Sequence, residues 1–140
     1  MNEWTLYIAA KFAAYAAWSA LGLAFLSAPR PAPARLAFES LGFGLMRLLL
    51  GMGFGFLVFL FSSALPIHGT GTDYVAIYAP VRVIEWGILL RMMRRGPNAA
   101  VFGDRRAWIW IVLGIAVSFA VDALSPIPMH ERFCIGRCLC

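Results

Sequence analysis

Apolar residues run along this chain in four long stretches, at about 4–26, 36–65, 74–93 and 107–124, divided by short polar or proline-containing segments. A bilayer core of ~30 Å needs about 20 helical residues at ~1.5 Å each. Each stretch therefore predicts a membrane-spanning α-helix. The first stops at Ser27-Ala28-Pro29-Arg30-Pro31-Ala32-Pro33, and the fourth at Pro126 and Pro128. The second is too long for one upright span, so 33–44 is assigned to the membrane interface and 45–65 to the crossing. No ~10-residue alternation of the β-barrel kind appears, and in hydrocarbon a helix satisfies its own backbone. The expected fold is an all-α integral membrane protein. It forms a single four-helix transmembrane domain over 1–140, with spans at 4–26, 45–65, 74–93 and 107–124 and a cysteine-containing tail at 126–140.

Composition agrees with that pattern. Hydrophobic residues make up 61% of the chain and charged residues 14%, where a soluble domain carries roughly 25% charged. Mean hydropathy is +0.77. A soluble enzyme, a disordered chain and a nucleic-acid module all fit poorly. The net charge of +5 does not point to nucleic acid, because the basic residues gather in two connections. Arg30 and Arg35 lie in the first, and Arg91, Arg94, Arg95, Arg105 and Arg106 flank the third with one Asp104. The second connection, 66–73, has no Lys or Arg. Connections one and three are thus expected on the cytoplasmic side, with both termini outside. Trp4, Tyr7, Tyr74, Trp108 and Trp110 fall near span ends, as interfacial aromatics do. Eleven of the twelve basic residues are Arg, which fits GC-rich coding and a bacterial inner membrane. A cleaved signal peptide is the competing reading of the first stretch. Met1-Asn2-Glu3 is acidic where a signal needs positive charge, and Lys11 interrupts the apolar run.

Charges inside the spans are the main candidates for chemistry. A buried ion in lipid costs ~2.5–3.5 kcal/mol on insertion scales, so it needs a partner or a purpose. Lys11 lies about two turns into helix one, and Asp122 one turn from the outer end of helix four. Arg82 and Glu85 are three apart on helix three and share a face, with Tyr78 four before Arg82. On the expected topology Lys11, Arg82, Glu85 and Asp122 fall at similar depth, in the outer half to midplane. Two readings stay open. Arg82 and Glu85 form a local structural pair while Lys11 and Asp122 reach the headgroups, or the four build a site for an ion, a proton or a polar headgroup.

Helix one carries Tyr7, Lys11, Tyr15 and Trp18 on one face, with Ala9, Ala13, Ala16 and Ala20 as small residues for close approach. Helix two is glycine-rich, and Gly51 and Gly55 match a small-xxx-small contact within the bundle or across a homodimer. Arg47, near the expected inner end of that span, either snorkels or reads anionic headgroups together with Glu39. The run Arg82-Val83-Ile84-Glu85-Trp86 resembles the arginine–carboxylate–tryptophan stretch in the third helix of microbial rhodopsins. The likeness covers five residues of a chain with four apolar runs rather than seven, whose lysine is in the first. What it implies is an Arg and a carboxylate on one membrane helix face.

Three cysteines, Cys134, Cys138 and Cys140, close the chain. An outside tail favours oxidation, and Cys134 and Cys138 suit a small disulfide loop with Cys140 left for a partner. With His130 they also form a candidate metal set, although the spacing is not C-x2-C. His68 in the second connection is read as a solvated loop residue or a ligand beside the charge cluster. No nucleophile–His–carboxylate set or HExxH is present, and the cofactor is left open. The function expected is a transport component, or an accessory or assembly subunit of a larger membrane complex, with the bilayer and a homo-oligomer or membrane complex as partners. The alternative is a membrane enzyme on a lipid-linked substrate with Arg82 and Glu85 or Asp122 in its site, or a thiol-redox protein using the tail.

Overall fold

In a computed structural model, residues 2–27, 31–61, 71–94 and 103–125 are described. They form four α-helices, α1 (Glu3–Leu26), α2 (Pro33–Phe61), α3 (Gly71–Met93) and α4 (Arg105–Asp122), with no strand among the described residues. Long unbranched and alanine-rich runs favour the helix throughout. Pro33 opens α2 at the first helical position, where its missing N–H is no loss. Where the sequence suggests a separate 33–44 segment, the backbone is one continuous helix of 29 residues.

Two helices are long and apolar enough to cross a membrane: Glu3–Leu26, and Pro33–Val58 of α2. The other two are more charged. α3 holds Asp73, Arg82, Glu85 and Arg91, and the 18 residues of α4 include Arg105, Arg106 and Asp122. Of the four spans expected, two helices are thus apolar and long enough among the described residues.

α1 packs most extensively on α2, α4 touches α1 and α3, and α2 meets α3. Contacts give the directions. Lys11 near the start of α1 meets Asp122 at the end of α4, and Trp18 further along α1 meets Trp110 near the start of α4. Tyr74 at the start of α3 also meets Asp122. α4 is thus antiparallel to both α1 and α3.

One half of the bundle interior is apolar and aromatic, built from Leu23, Trp86, Leu89, Leu90, Met93, Ala107, Trp110 and Ile111. The indoles of Trp18 and Trp110 stack at 6.3 Å, and Trp86 meets Trp110 edge-on at 5.1 Å. Trp18 Nε1 donates to the Trp110 carbonyl at 3.2 Å, and Trp110 Nε1 returns a bond to the Trp18 carbonyl at 3.3 Å. Glycines make the room: a Cβ at Gly22 would lie 2.8 Å from the Trp110 ring, and one at Gly114 2.8 Å from Trp18 Nε1. Trp110, Tyr7 and Tyr74 are buried, and their polar tips find partners inside; Trp4 and Trp108 are exposed. Of the alanines on α1, Ala9 and Ala13 are exposed, and Ala16 is buried against Gly44 of α2.

Asp104 starts α4 as its N-cap, accepting from the Arg106 N–H at 2.8 Å and pairing with Arg94. The side-chain bond from Arg94 and the Arg106 N–H hold its carboxyl below the ordinary aspartate range. A carboxylate with a lower folded than unfolded pKa adds stability above the unfolded value and loses it as pH falls through the folded one. Amide protection factors in the first turn of α4 are thus expected to fall below about pH 4. They fall at neutral pH in Asp104→Ala as well. Unchanged protection in that variant would remove the cap from the account.

Candidate functional site

Charged residues fill the other half of the interior. Lys11 is 4% exposed, Arg47 1%, Arg82 2%, Glu85 2% and Asp122 1%. Each comes from a surface that helical periodicity turns inward. Lys11, Tyr15 and Ser19 stand four apart on α1 and are all buried. On α3 the buried residues Tyr74, Tyr78, Arg82 and Glu85 follow steps of four, four and three.

Asp122 is the hub at one end of the bundle. Lys11 Nζ pairs with its Oδ1 at 2.8 Å, and Arg82 pairs with its Oδ2. The Tyr7 hydroxyl donates to Oδ1 at 3.2 Å and the Tyr74 hydroxyl to Oδ2 at 2.8 Å. Two cations and two hydroxyls from α1 and α3 thus converge on one carboxylate of α4. Lys11 also donates to Tyr7 at 3.0 Å, and Arg82 to the Tyr74 oxygen at 3.3 Å. The Arg82 guanidinium lies 4.7 Å from the Phe119 ring centroid.

A second pair sits deeper. Arg47 of α2 meets Glu85 of α3 at 2.7 Å. Its guanidinium lies 4.8 Å from the Tyr15 ring centroid and 5.0 Å from that of Trp86, a cation–π cage. The Ser118 hydroxyl accepts from Arg47 at 3.4 Å and from Trp86 Nε1 at 3.2 Å. The ladder therefore runs from Tyr7, Asp122 and Tyr74 to Arg82, steps along the α3 face to Glu85 without a direct bond, and continues through Arg47 and Ser118 to Trp86 and Trp110.

Donors outnumber acceptors here. Three buried cations face two buried carboxylates among the described residues. The Nε–H groups of Arg47 and Arg82 and the hydroxyls of Tyr15 and Ser19 are buried with no protein hydrogen-bond partner. Half-buried Asp73, in the first turn of α3, adds a carboxylate near the Asp122 end.

No family model, curated protein or solved structure matches this chain.

Several placements correct the sequence reading. Arg82 and Glu85 share a face but do not pair with each other; each takes a partner from another helix. Lys11 and Asp122 do not reach outward, because they satisfy one another. Arg47 does not snorkel. Its helix starts at Pro33 rather than 45, which puts it 14 residues in, about 21 Å along a 29-residue helix. Glu39 pairs with Arg35 at 2.8 Å, not with Arg47. Gly55 is buried and Gly51 half-buried, so that motif faces the bundle. Ser118 and Asp122's partner Tyr74 were not singled out as site residues; polar residues four apart on α4 and their shared inward face were the available signal. His68, His130, Cys134, Cys138 and Cys140 lie outside the described residues. No group of three or more His, Cys, Asp or Glu suited to a metal occurs among the described residues.

Proposed function

We propose that the chain is a multi-pass membrane protein and a transport component for a small anion, with the charge ladder as its half-path. The membrane reading is supported by an inverted distribution of polarity. Five charged side chains are buried together, while Leu6, Phe25, Leu45, Leu49, Phe56, Ile84, Val112 and other large apolar residues are exposed on all four helices. In water that surface is unfavourable by roughly 25 cal/mol per Å²; in lipid it is the matching one. Charges inside a bundle that face each other mark pathways or binding sites in membranes.

The observation that carries the transport reading is the ladder's shape. It starts at the Tyr7, Asp122 and Tyr74 end of the bundle, reaches mid-helix at Arg47 and Arg82, and stops at Trp86 and Trp110. The surplus of buried N–H and O–H donors favours an anion over a cation, because an anion supplies only acceptors. On the expected topology the Asp122 end faces outside, and the inner basic connections face the cytoplasm.

The test is flux. In the purified protein reconstituted in liposomes with a halide-sensitive dye, chloride or nitrate entry is expected. Arg82→Gln and Arg47→Gln are expected to lower it about tenfold, and Glu85→Gln to alter it, while the helical signal stays. A signal from a trapped pH dye with no halide entry would turn the reading to a proton. With no flux of either kind, an accessory subunit becomes the better account.

A further inference from the structure

On one flank of α2 a groove of about 320 Å³ is lined by Met46, Leu49, Leu50, Gly53, Phe54 and Leu57. All six belong to α2, and no other described helix lines it. Within it, residues 46, 49, 50 and 53 stand at i, i+3, i+4 and i+7. That quartet is the hole of knobs-into-holes packing.

The seam continues along the helix with heptad spacing. Glu39, Met46, Gly53 and Leu60 repeat every seven residues, and Arg35, Gly42, Leu49 and Phe56 fill the alternate positions. Leu49, Phe56 and Leu60 are exposed. A Cβ added at Gly42 or Gly53 would meet nothing within 4 Å. These glycines differ from Gly44, Gly22 and Gly114, which are spent on contacts inside the bundle. Seam glycines with open space allow another backbone to approach.

We infer that this flank pairs α2 with α2 of a second copy, in parallel, about a two-fold axis along the membrane normal. The inference rests on the membrane reading, which gives both copies the same orientation. Two features argue for a second copy over another helix. First, in a parallel two-fold pair each residue sits level with its counterpart. The Leu49 side chain of each copy then enters the hole around the other's position 49, which is the quartet 46, 49, 50 and 53. Second, the charges at the head of the seam are self-complementary. Arg35 is 58% exposed, and Glu39, one turn on and paired with it in the same helix, is 16% exposed. A two-fold axis brings Arg35 of each copy toward Glu39 of the other, the reciprocal contact an isologous interface requires. The pair lies at the Pro33 end of α2, where ion pairs meet water and headgroups and not hydrocarbon.

Photocrosslinking in membranes tests this. With p-benzoylphenylalanine in place of Phe56, a product of twice the 15.4 kDa chain mass is expected. The same probe at Val112, on the exposed face of α4, is expected to give lipid adducts only. Gly53→Leu fills open space, so it should leave the unfolding midpoint unchanged while reducing the dimer product about tenfold. Glu39→Arg should reduce it comparably, and Arg35→Glu combined with Glu39→Arg should restore it. Lipid adducts alone at position 56, insensitive to Gly53→Leu, would overturn the dimer and keep the membrane reading. A crosslink at position 56 to a different protein would also overturn the dimer. Absence of lipid adducts at both 56 and 112 would overturn the membrane reading itself.

Discussion

Asp122→Asn is expected to destabilise the bundle by about 3–5 kcal/mol, because it leaves buried cations without their counter-charge. Asp122 faces Lys11 at 2.8 Å and Arg82 at once, and it accepts from Tyr7 and Tyr74. Asparagine keeps the shape and loses the charge. Its amide nitrogen would also face two donors, where a carboxylate offers only acceptors. The measurement is reversible unfolding in detergent micelles. Adding Lys11→Met to Asp122→Asn removes one of the stranded cations, so the double variant should be more stable than Asp122→Asn alone. Strict additivity of the two losses would show that the residues are not coupled. A loss under about 0.5 kcal/mol in Asp122→Asn would place Asp122 in contact with water, not in a dry core.

Gly44→Val is the second large effect, expected at about 1–3 kcal/mol of overpacking or more. A Cβ at position 44 would lie 2.9 Å from the Ala16 backbone nitrogen and 3.0 Å from its Cα. Backbone cannot turn aside as a flexible side chain does, so α1 and α2 must separate along their most extensive contact. That separation would pull Arg47, one turn further on, away from the Tyr15 ring. Helix propensity alone prefers valine to glycine by a few tenths of a kcal/mol, so any loss comes from the contact. Gly42→Val is the control. It meets nothing within 4 Å inside the chain and should not lower the unfolding midpoint of the monomer. Equal losses in the two variants would mean that Gly44 does not set the helix spacing.

These two sites share a logic with the proposed ladder. The bundle places its charges where they face one another and its glycines where helices or indoles must come close. Removing a partner is more damaging than removing a pair. Replacing Arg47 and Glu85 together with leucine and methionine would therefore be expected to spare stability better than Glu85→Gln alone, while ending anion entry. That separation of stability from flux is what distinguishes a pathway from a structural brace.

Apolar runs interrupted by prolines determined the four helices from the sequence alone, since hydrophobic length and helix breakers act locally. They also marked Lys11, Arg82, Glu85 and Asp122, because a charge within such a run stands out whatever it touches. The inward face of α1 was legible for the same reason, as Tyr7, Lys11 and Tyr15 repeat at the helical period. The length of α2 was misjudged because 36–65 exceeds one upright span, so 33–44 was set apart from a helix that runs on without a break. A charged pair at i, i+4 does not break a helix, and the start assigned at 45 placed Arg47 near a helix end instead of mid-helix. Only the tertiary structure decided the partners. Lys11 and Asp122 stand 111 residues apart, Arg82 and Asp122 40, and Trp18 and Trp110 92. Which residues meet across such separations depends on the rotation and relative depth of whole helices. Those are set by Gly44 against Ala16 and by Gly22 and Gly114 against indole rings, and no periodicity within one helix encodes them.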